Sequence, residues 1–312
     1  MRVLLVVNPR ASSTTARRRR DVERALAHHE LEVQPTRGRG HAAELARGAA
    51  DAGVGAVVVL GGDGTLNEAA GSLAGTATAL APLPGGSTNV FTRTLGYPRS
   101  LQGAVPALVA DLEAGSTRRI GIGRANGRIF LFHLGAGFDA AVVARMERRP
   151  AWVKRWAAHP VFAWSAIVTY FGCYDRRRAA FRVTADAESA DGGSLGDGFF
   201  AIVSNSSPYT YFGPRPLRVT DAAAFGRGLA VTMFLRLGFR DLVPSALEAM
   251  GGGLRRRDSV LQRADLDHVS FAALGAPFSW QVDGEHIGEV ERLAVRYEPD
   301  ALEVVVPRSP LP

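Results

Sequence analysis

Lysine is nearly absent from this chain: Lys154 is the only one in 312 residues. That removes the Walker-A signature, which needs a lysine after its glycines, and the strand lysine of protein kinases. A Schiff-base mechanism would fall to Lys154, in Val-Lys-Arg-Trp, a poor setting for it. Cysteine is as scarce. Cys173 stands alone, so no internal disulfide can form, and a reducing compartment fits. No apolar run approaches the roughly 20 residues that a membrane-spanning helix needs. The longest, Val161–Tyr174, has 14 residues and contains Ser165 and Thr169. The start, MRVLLVVNPR, is too short an apolar run for a secretory leader and reads as a strand. The seven histidines show no metal-ligand spacing, and no Ser/His/Asp set assembles by motif. The formal charge of +7 rests almost wholly on arginine. Alanine and glycine abound beside it, so composition bias explains the charge better than nucleic-acid binding, for which no motif appears.

What is present is glycine at the ends of apolar runs. Ala56–Leu60 leads into GGDGTLNEAA (Gly61–Ala70), and a second apolar run leads into PGGSTN (Pro84–Asn89). A strand that ends in glycines and feeds a helix lets backbone amides approach a phosphate. Asp63 in such a turn would repel a phosphate unless a cation stood between, which points to a nucleotide triphosphate with Mg²⁺. The alternative is a glycine turn with Asp63 or Thr65 as helix cap. In PGGSTN, Ser87 and Thr88 are hydroxyl donors. Asn8 and Thr36 close two earlier strands at the same edge. Two G-x-G-x-x-A matches, Gly38–Ala43 and Gly135–Ala140, show how loose that pattern is, and neither is read as a dinucleotide fingerprint.

The first 115 residues or so alternate strand and helix. Strands are predicted at Val3–Val7, Leu31–Thr36, Ala56–Leu60 and Thr78–Pro82, and helices at Thr15–His29, His41–Asp51, Leu66–Leu73 and Leu101–Glu113, a layered α/β pattern. After Arg118 the pattern turns to strands, beginning with a hairpin around Asn126-Gly127. Helical stretches are expected near Phe138–Phe171 and Asp241–Met250, a mobile turn at Asp191–Gly198, and two short strands around Glu298-Pro299-Asp300. The division reads as residues 1–117, an α/β nucleotide-binding domain to which 291–308 are a candidate addition, and 118–290, a β-rich domain, with a cleft between the two. Val282-Asp283-Gly284-Glu285 sits at a turn; such carboxylates are commonly solvated, yet phosphoryl transfer to a hydroxyl needs one near the acceptor. Ala151–Tyr174 gathers three of the four tryptophans between basic clusters, and reads equally as a core helix pair or as a surface for a membrane or acyl chain.

Taken together, NPRAS (Asn8–Ser12), TRGRGHAAELA (Thr36–Ala46), GGDGTLNE (Gly61–Glu68), PGGSTNVFTRTLG (Pro84–Gly96), GAGFDA (Gly135–Ala140) and VDGE (Val282–Glu285) resemble the diacylglycerol kinase catalytic-domain family, in particular the soluble bacterial lipid kinases. The resemblance implies an N-terminal α/β nucleotide domain like those of NAD kinase and diacylglycerol kinase, a C-terminal β-sandwich, ATP as donor, Mg²⁺, and a lipid hydroxyl as acceptor. Diacylglycerol, converted to phosphatidic acid, is the default. By position it implies nucleotide contacts at Asn8, Pro9, Arg10, Ser12, Thr36, Gly62, Asp63, Gly64, Thr65, Leu66, Asn67, Glu68 and Ser87, with Asp63 reaching the metal of Mg-ATP. It implies a catalytic set of Glu285, Asp283 and Asp63, with Glu285 preferred over Asp283 as proton acceptor. It implies a cytoplasmic protein in peripheral contact with the inner, anionic face of a membrane, without nucleic acid, and with an oligomer left open. In Val219–Val231 only Asp221 stands where relatives hold a structural Mg²⁺ with several carboxylates, so that site is expected to be lost. The rivals are a soluble small-molecule kinase of the NAD kinase type and a non-catalytic nucleotide or lipid sensor.

Overall fold

Strands β1 (Arg2–Val7), β3 (Ala56–Gly61) and β4 (Ala79–Pro84) are buried at every residue but Arg2. Burial on both faces is what a parallel sheet between helices imposes. The computed structural model describes residues 1–147, 165–166, 168–171, 174–175, 177–185, 193–255 and 257–308. The chain divides into two units, Met1–Gly121 with Asp300–Pro312, and Ile122–Pro299.

In the first unit, α1 (Ala16–Ala25), β2 (Glu30–Pro35), α2 (His41–Asp51), α3 (Asp63–Leu73), α4 (Val90–Thr94) and α5 (Leu101–Glu113) alternate with these strands. The sheet runs β2-β1-β3-β4, all parallel. Thr15 and Ser100 cap α1 and α5, their hydroxyls accepting the Arg18 and Gly103 amides. α1 stops at Ala25, four residues short of the His29 predicted, and Leu26 packs into the core. That core gathers Leu5, Val58, Leu83, Leu108 and Val305.

The second unit opens with the end of β5 (Thr117–Ala125), which forms a hairpin with β6 (Arg128–Phe130). Asn126 and Gly127 take φ of 43° and 86°, as a tight two-residue turn demands. There follow β7 (His133–Gly137), α6 (Phe138–Glu147), β8 (Phe181–Ala185), β9 (Gly193–Gly198), β10 (Phe200–Ser204), a small hairpin of β11 (Thr210–Phe212) and β12 (Arg215–Leu217), β13 (Leu229–Phe234), α7 (Phe239–Gly251), β14 (Val260–Leu266), β15 (His268–Ala273), β16 (Phe278–Val282), β17 (Glu285–Val290) and β18 (Arg292–Val305). One antiparallel sheet runs β14-β13-β10-β7-β16-β17, and a second joins β18, β15, β8 and β9. Leu134, Val231 and Trp280 from the first meet Phe181, Val269, Phe271 and Leu293 from the second in one core, so the unit is a β-sandwich.

Three readings change. Glu298-Pro299-Asp300 is no break: β18 continues from Arg292 to Val305, its first half paired with β15 and Val304 with Leu80 of β4, while Asp300 absorbs the irregularity at φ 46°. Residues 193–198, read as part of a mobile turn, are β9, paired with β8. The predicted helix from Phe138 is described as α6 to Glu147; Lys154, Cys173, Trp152, Trp156 and Trp164 lie outside the described residues.

Candidate active site

Parallel strands all end at one edge of their sheet. Asn8 follows β1 there, its amide donating to the Leu60 carbonyl at 3.0 Å. Its side chain donates to Thr65 Oγ1 at 2.8 Å and accepts from the Arg10 amide at 3.0 Å. Thr36 follows β2, its amide donating to the Val7 carbonyl at 2.8 Å. In the order β2-β1-β3-β4 the winding reverses between β1 and β3, where open α/β sheets hold ligands. A cavity of about 140 Å³ opens among these residues, lined by Asn8, Thr36, Thr65 and Glu68 together with Arg10, Arg37, Gly38 and Arg39. Gly62 precedes α3 and offers no side-chain cap, so the helix start is a candidate place for an anion. Three guanidinium groups, two hydroxyls and an uncapped helix start suit a phosphate. The volume is below the roughly 300–1,000 Å³ of a whole small-molecule cleft, so it suits a portion of a nucleotide. Arg37, Gly38 and Arg39 were missing from the expected contacts, although TRGRGH displays them. Pro9, Ser12, Gly62, Asp63, Gly64, Leu66, Asn67 and Ser87 do not line this cavity. Leu66 is wholly buried in packing and Ser87 is exposed.

The structure gives the glycines and Asp63 work that the sequence reading did not foresee. The Gly85 amide donates to the Gly61 carbonyl at 2.9 Å. A Cβ on Gly85 would lie 2.8 Å from the Gly61 nitrogen, and one on Gly86 2.7 Å from the Gly62 Cα. These glycines therefore let two loops pack backbone to backbone; a Cβ on Gly64 would meet nothing. Asp63, expected to reach a cation, turns its carboxylate to the start of α4, accepting from the Val90 and Phe91 amides at 3.0 and 3.1 Å. Burial pushes its pKa up, and those two hydrogen bonds oppose the rise. It ties GGDGT to PGGSTN, with Asn89 closing the second loop by accepting from the Gly86 amide at 2.7 Å. Among the carboxylates here, Glu68 is the one on the cavity wall, and is the better placed to meet a magnesium ion carried on phosphates.

The acidic pair of VDGE also divides its labour. Asp283, at φ 49°, accepts the Leu131 amide at 2.7 Å and those of Phe132 and His133 at 3.0 and 3.1 Å. Three amides on one carboxylate make it a clamp on the β6–β7 connection. Glu285, at the start of β17, has Oε2 3.5 Å from Arg128. Behind this turn lies a buried polar chain that the sequence did not announce. Asp139 accepts from the Tyr209 hydroxyl at 2.7 Å and from Gln281 Nε2 at 2.9 Å, and Gln281 Oε1 accepts from the Gly284 amide at 2.8 Å. Burial pushes Asp139 up, against those two hydrogen bonds. Gly135 makes room for it: a Cβ there would lie 1.9 Å from Asp139 Oδ2.

Tyr209 also presents its ring to a second cavity, of about 360 Å³, walled by Phe138, Tyr170, Phe200, Ile202, Val219, Phe234 and the inner face of α7. The polar tips around it are turned away. Tyr209 binds Asp139, Tyr170 donates to the Leu237 carbonyl at 3.1 Å, and Ser245 donates to the Asp241 carbonyl at 2.6 Å. What remains is hydrocarbon.

Residues 2–125 match the model of the diacylglycerol kinase catalytic domain. That match takes in the loops of the first unit. A protein of Pseudomonas aeruginosa named as a probable lipid kinase, YegS-like, is 36% identical over 146 residues, which are 46% of this chain and 46% of the relative. The aligned stretch thus spans less than half of that relative's length. A crystal structure of a diacylglycerol kinase from Bacillus anthracis superposes with a TM-score of 0.70 over 99% of this chain and 98% of that one, at 17% identity. Yeast NADH kinase complexed with NADH superposes with a TM-score of 0.51 over 98% of this chain and 83% of its own, at 10% identity. At such identities these two likenesses speak of fold alone. The diacylglycerol kinase match ends at Ala125, before Asp139, Asp283 and Glu285. Among the described residues no cluster of three or more histidine, cysteine or acidic side chains is arranged to hold a metal, and no helix is long and apolar enough to cross a membrane.

Proposed function

We propose that this chain is an ATP- and Mg²⁺-dependent lipid kinase that transfers the γ-phosphate to a lipid hydroxyl, with diacylglycerol the first acceptor to try and phosphatidic acid its product. The observation that carries the lipid half is the hydrocarbon-walled cavity of about 360 Å³ in a chain whose residues 2–125 match the diacylglycerol kinase catalytic-domain model. The fold does not separate this reading from an NADH kinase, since both superpose. A polar acceptor such as a dinucleotide, however, would find no hydrogen-bonding partner on those walls.

In this reading the first turn of α3, with Arg10, Arg37 and Arg39, holds the phosphates, while Asn8 fixes Thr65 beside them. Magnesium, when bound, would neutralise charge on the transferring phosphoryl group, with Glu68 as the carboxylate nearest the cavity. Asp63 acts on the site by positioning the PGGSTN loop. Glu285 accepts the proton of the lipid hydroxyl, and Asp283 holds the turn that presents it. The protein keeps company with an anionic membrane surface because that is where its acceptor resides.

The test is transfer of labelled γ-phosphate from Mg-ATP to a lipid panel in mixed micelles, comparing wild type with Glu285→Gln. A labelled lipid with wild type, falling about 10²–10⁴-fold in the variant, is expected. Label entering NAD but no lipid would replace the reading with a soluble kinase. ATP bound without transfer to anything would make the protein a sensor.

A further inference from the structure

α7 is apolar on two sides. Its inner residues Leu242 and Ala249 wall the hydrocarbon cavity. Its outer residues Phe239, Val243, Leu247 and Met250 recur every third or fourth position and are 50%, 52%, 66% and 47% exposed. A helix with large apolar residues on both its inner and its outer side ordinarily has a partner for each. This one has its outer side in the open, where a soluble domain rarely keeps a contiguous row of large apolar groups. The row is also the mouth of the cavity: Phe239, Val243 and Ala246 belong both to the exposed side and to the cavity lining, and Phe171, 59% exposed, lies tilted against Phe239 at 5.3 Å between ring centroids.

The charges around this row are mostly cationic, and the exposed Asp221 beside Gly253 is paired with Arg218 at 3.8 Å. Arg236 and Arg240 are exposed at its start and Arg255 just beyond its end. The helix carries two acids. Asp241 lies half-buried in its first turn, and Glu248 is occupied by the Arg255 amide at 3.1 Å and by the Arg257 guanidinium. An apolar row between cations is the pattern of a helix lying in the plane of an anionic bilayer, its apolar side among the acyl chains and its arginines at the headgroups.

We propose that α7 is the element that docks this protein on an anionic lipid bilayer, with Phe239, Val243, Leu247 and Met250 inserted and Arg236, Arg240 and Arg255 at headgroup level. The choice of occupant rests on the lipid-kinase reading; the surface itself does not. Docked in this way, the mouth of the hydrocarbon cavity faces the acyl layer, so a lipid tail passes into it without crossing water.

The test is co-sedimentation of the full chain with phosphatidylcholine vesicles, with and without phosphatidylglycerol, for wild type and the double variant Leu247→Asp/Met250→Asp. Neither residue lines the cavity, and both are exposed, so the fold is expected to persist by circular dichroism. Wild type is expected to partition onto the phosphatidylglycerol vesicles, more weakly as salt rises, and the double variant about tenfold less or worse. Phosphorylation of a short-chain diacylglycerol below its micellar concentration is expected to be the same for both. Equal partitioning of the two proteins, or no partitioning of wild type, would overturn the proposal. So would a wild-type dimer on gel filtration that the double variant dissolves, which would assign the row to a second copy of this chain. Vesicle binding that depends on the row in a protein that phosphorylates no lipid would uphold the docking surface and overturn the kinase reading instead.

Discussion

His133 is wholly enclosed in unit 2, and neither ring nitrogen has a hydrogen-bond partner among the described residues. Its ring lies 4.1 Å from that of Tyr209, centroid to centroid. Burial pushes its pKa down from the ordinary 6.5 to about 3. The sign follows from which state takes the proton. Between those two values the unfolded chain is protonated at this position and the folded chain is not, so acid favours unfolding. The stability that depends on a neutral His133 is whole above about pH 6.5 and drains away as the pH falls toward 3. From pH 7 to pH 5 the loss is about 2 kcal/mol. His133→Phe keeps a flat ring and discards the proton site. Its urea midpoint is expected to fall less than that of wild type between pH 7 and pH 5; identical falls would show that His133 is not the group responsible.

Among elements, the two glycine loops after β3 and β4 separate packing from ligand approach. Gly85 is cramped by the backbone of Gly61, whereas the space beside Gly64, in the first turn of α3, is open. Gly85→Ala is expected to cost about 1–3 kcal/mol of stability by forcing the loops apart. Gly64→Ala is expected to keep or raise stability by up to about 1 kcal/mol, since alanine favours the helix. If phosphate lies against the first turn of α3, Gly64→Ala will nevertheless weaken binding of a non-hydrolysable ATP analogue, read by calorimetry. Unchanged binding with unchanged stability would remove the reason for a glycine there. The sequence showed where these loops are because strands buried on both faces read as unbroken apolar runs and glycines punctuate their ends. It could not show what Asp63 does, because its partners, Val90 and Phe91, stand 27 and 28 positions away. The same holds for Asp283 and the amides some 150 residues before it. Local signals failed also at Glu298-Pro299-Asp300, where turn-forming residues were overruled by strand partners on either side.

At the scale of the whole molecule, the chain completes its first unit with its last strand. Leu302, Val304 and Val305 are fully buried there, Val305 in the same core as Leu5 and Leu83. Val304 pairs with Leu80. The Ser116 hydroxyl donates to the Val306 carbonyl at 2.8 Å, Arg119 meets Glu303 at 3.1 Å, and the Gly75 amide donates to the Ala301 carbonyl at 2.7 Å. The glycine loops therefore stand on a sheet that residues 1–121 alone are not expected to finish. Each lost buried aliphatic side chain costs about 2–5 kcal/mol when only a cavity replaces it. Three of them together are about as large as the whole 5–15 kcal/mol of a typical domain. A fragment of residues 1–121 is expected to lack a cooperative urea transition by circular dichroism, and adding a peptide of residues 300–308 is expected to restore one, with a midpoint that rises with peptide concentration. A sharp transition for residues 1–121 alone, unmoved by the peptide, would show that β18 only rests on the edge of β4 and that the parallel sheet is whole without it.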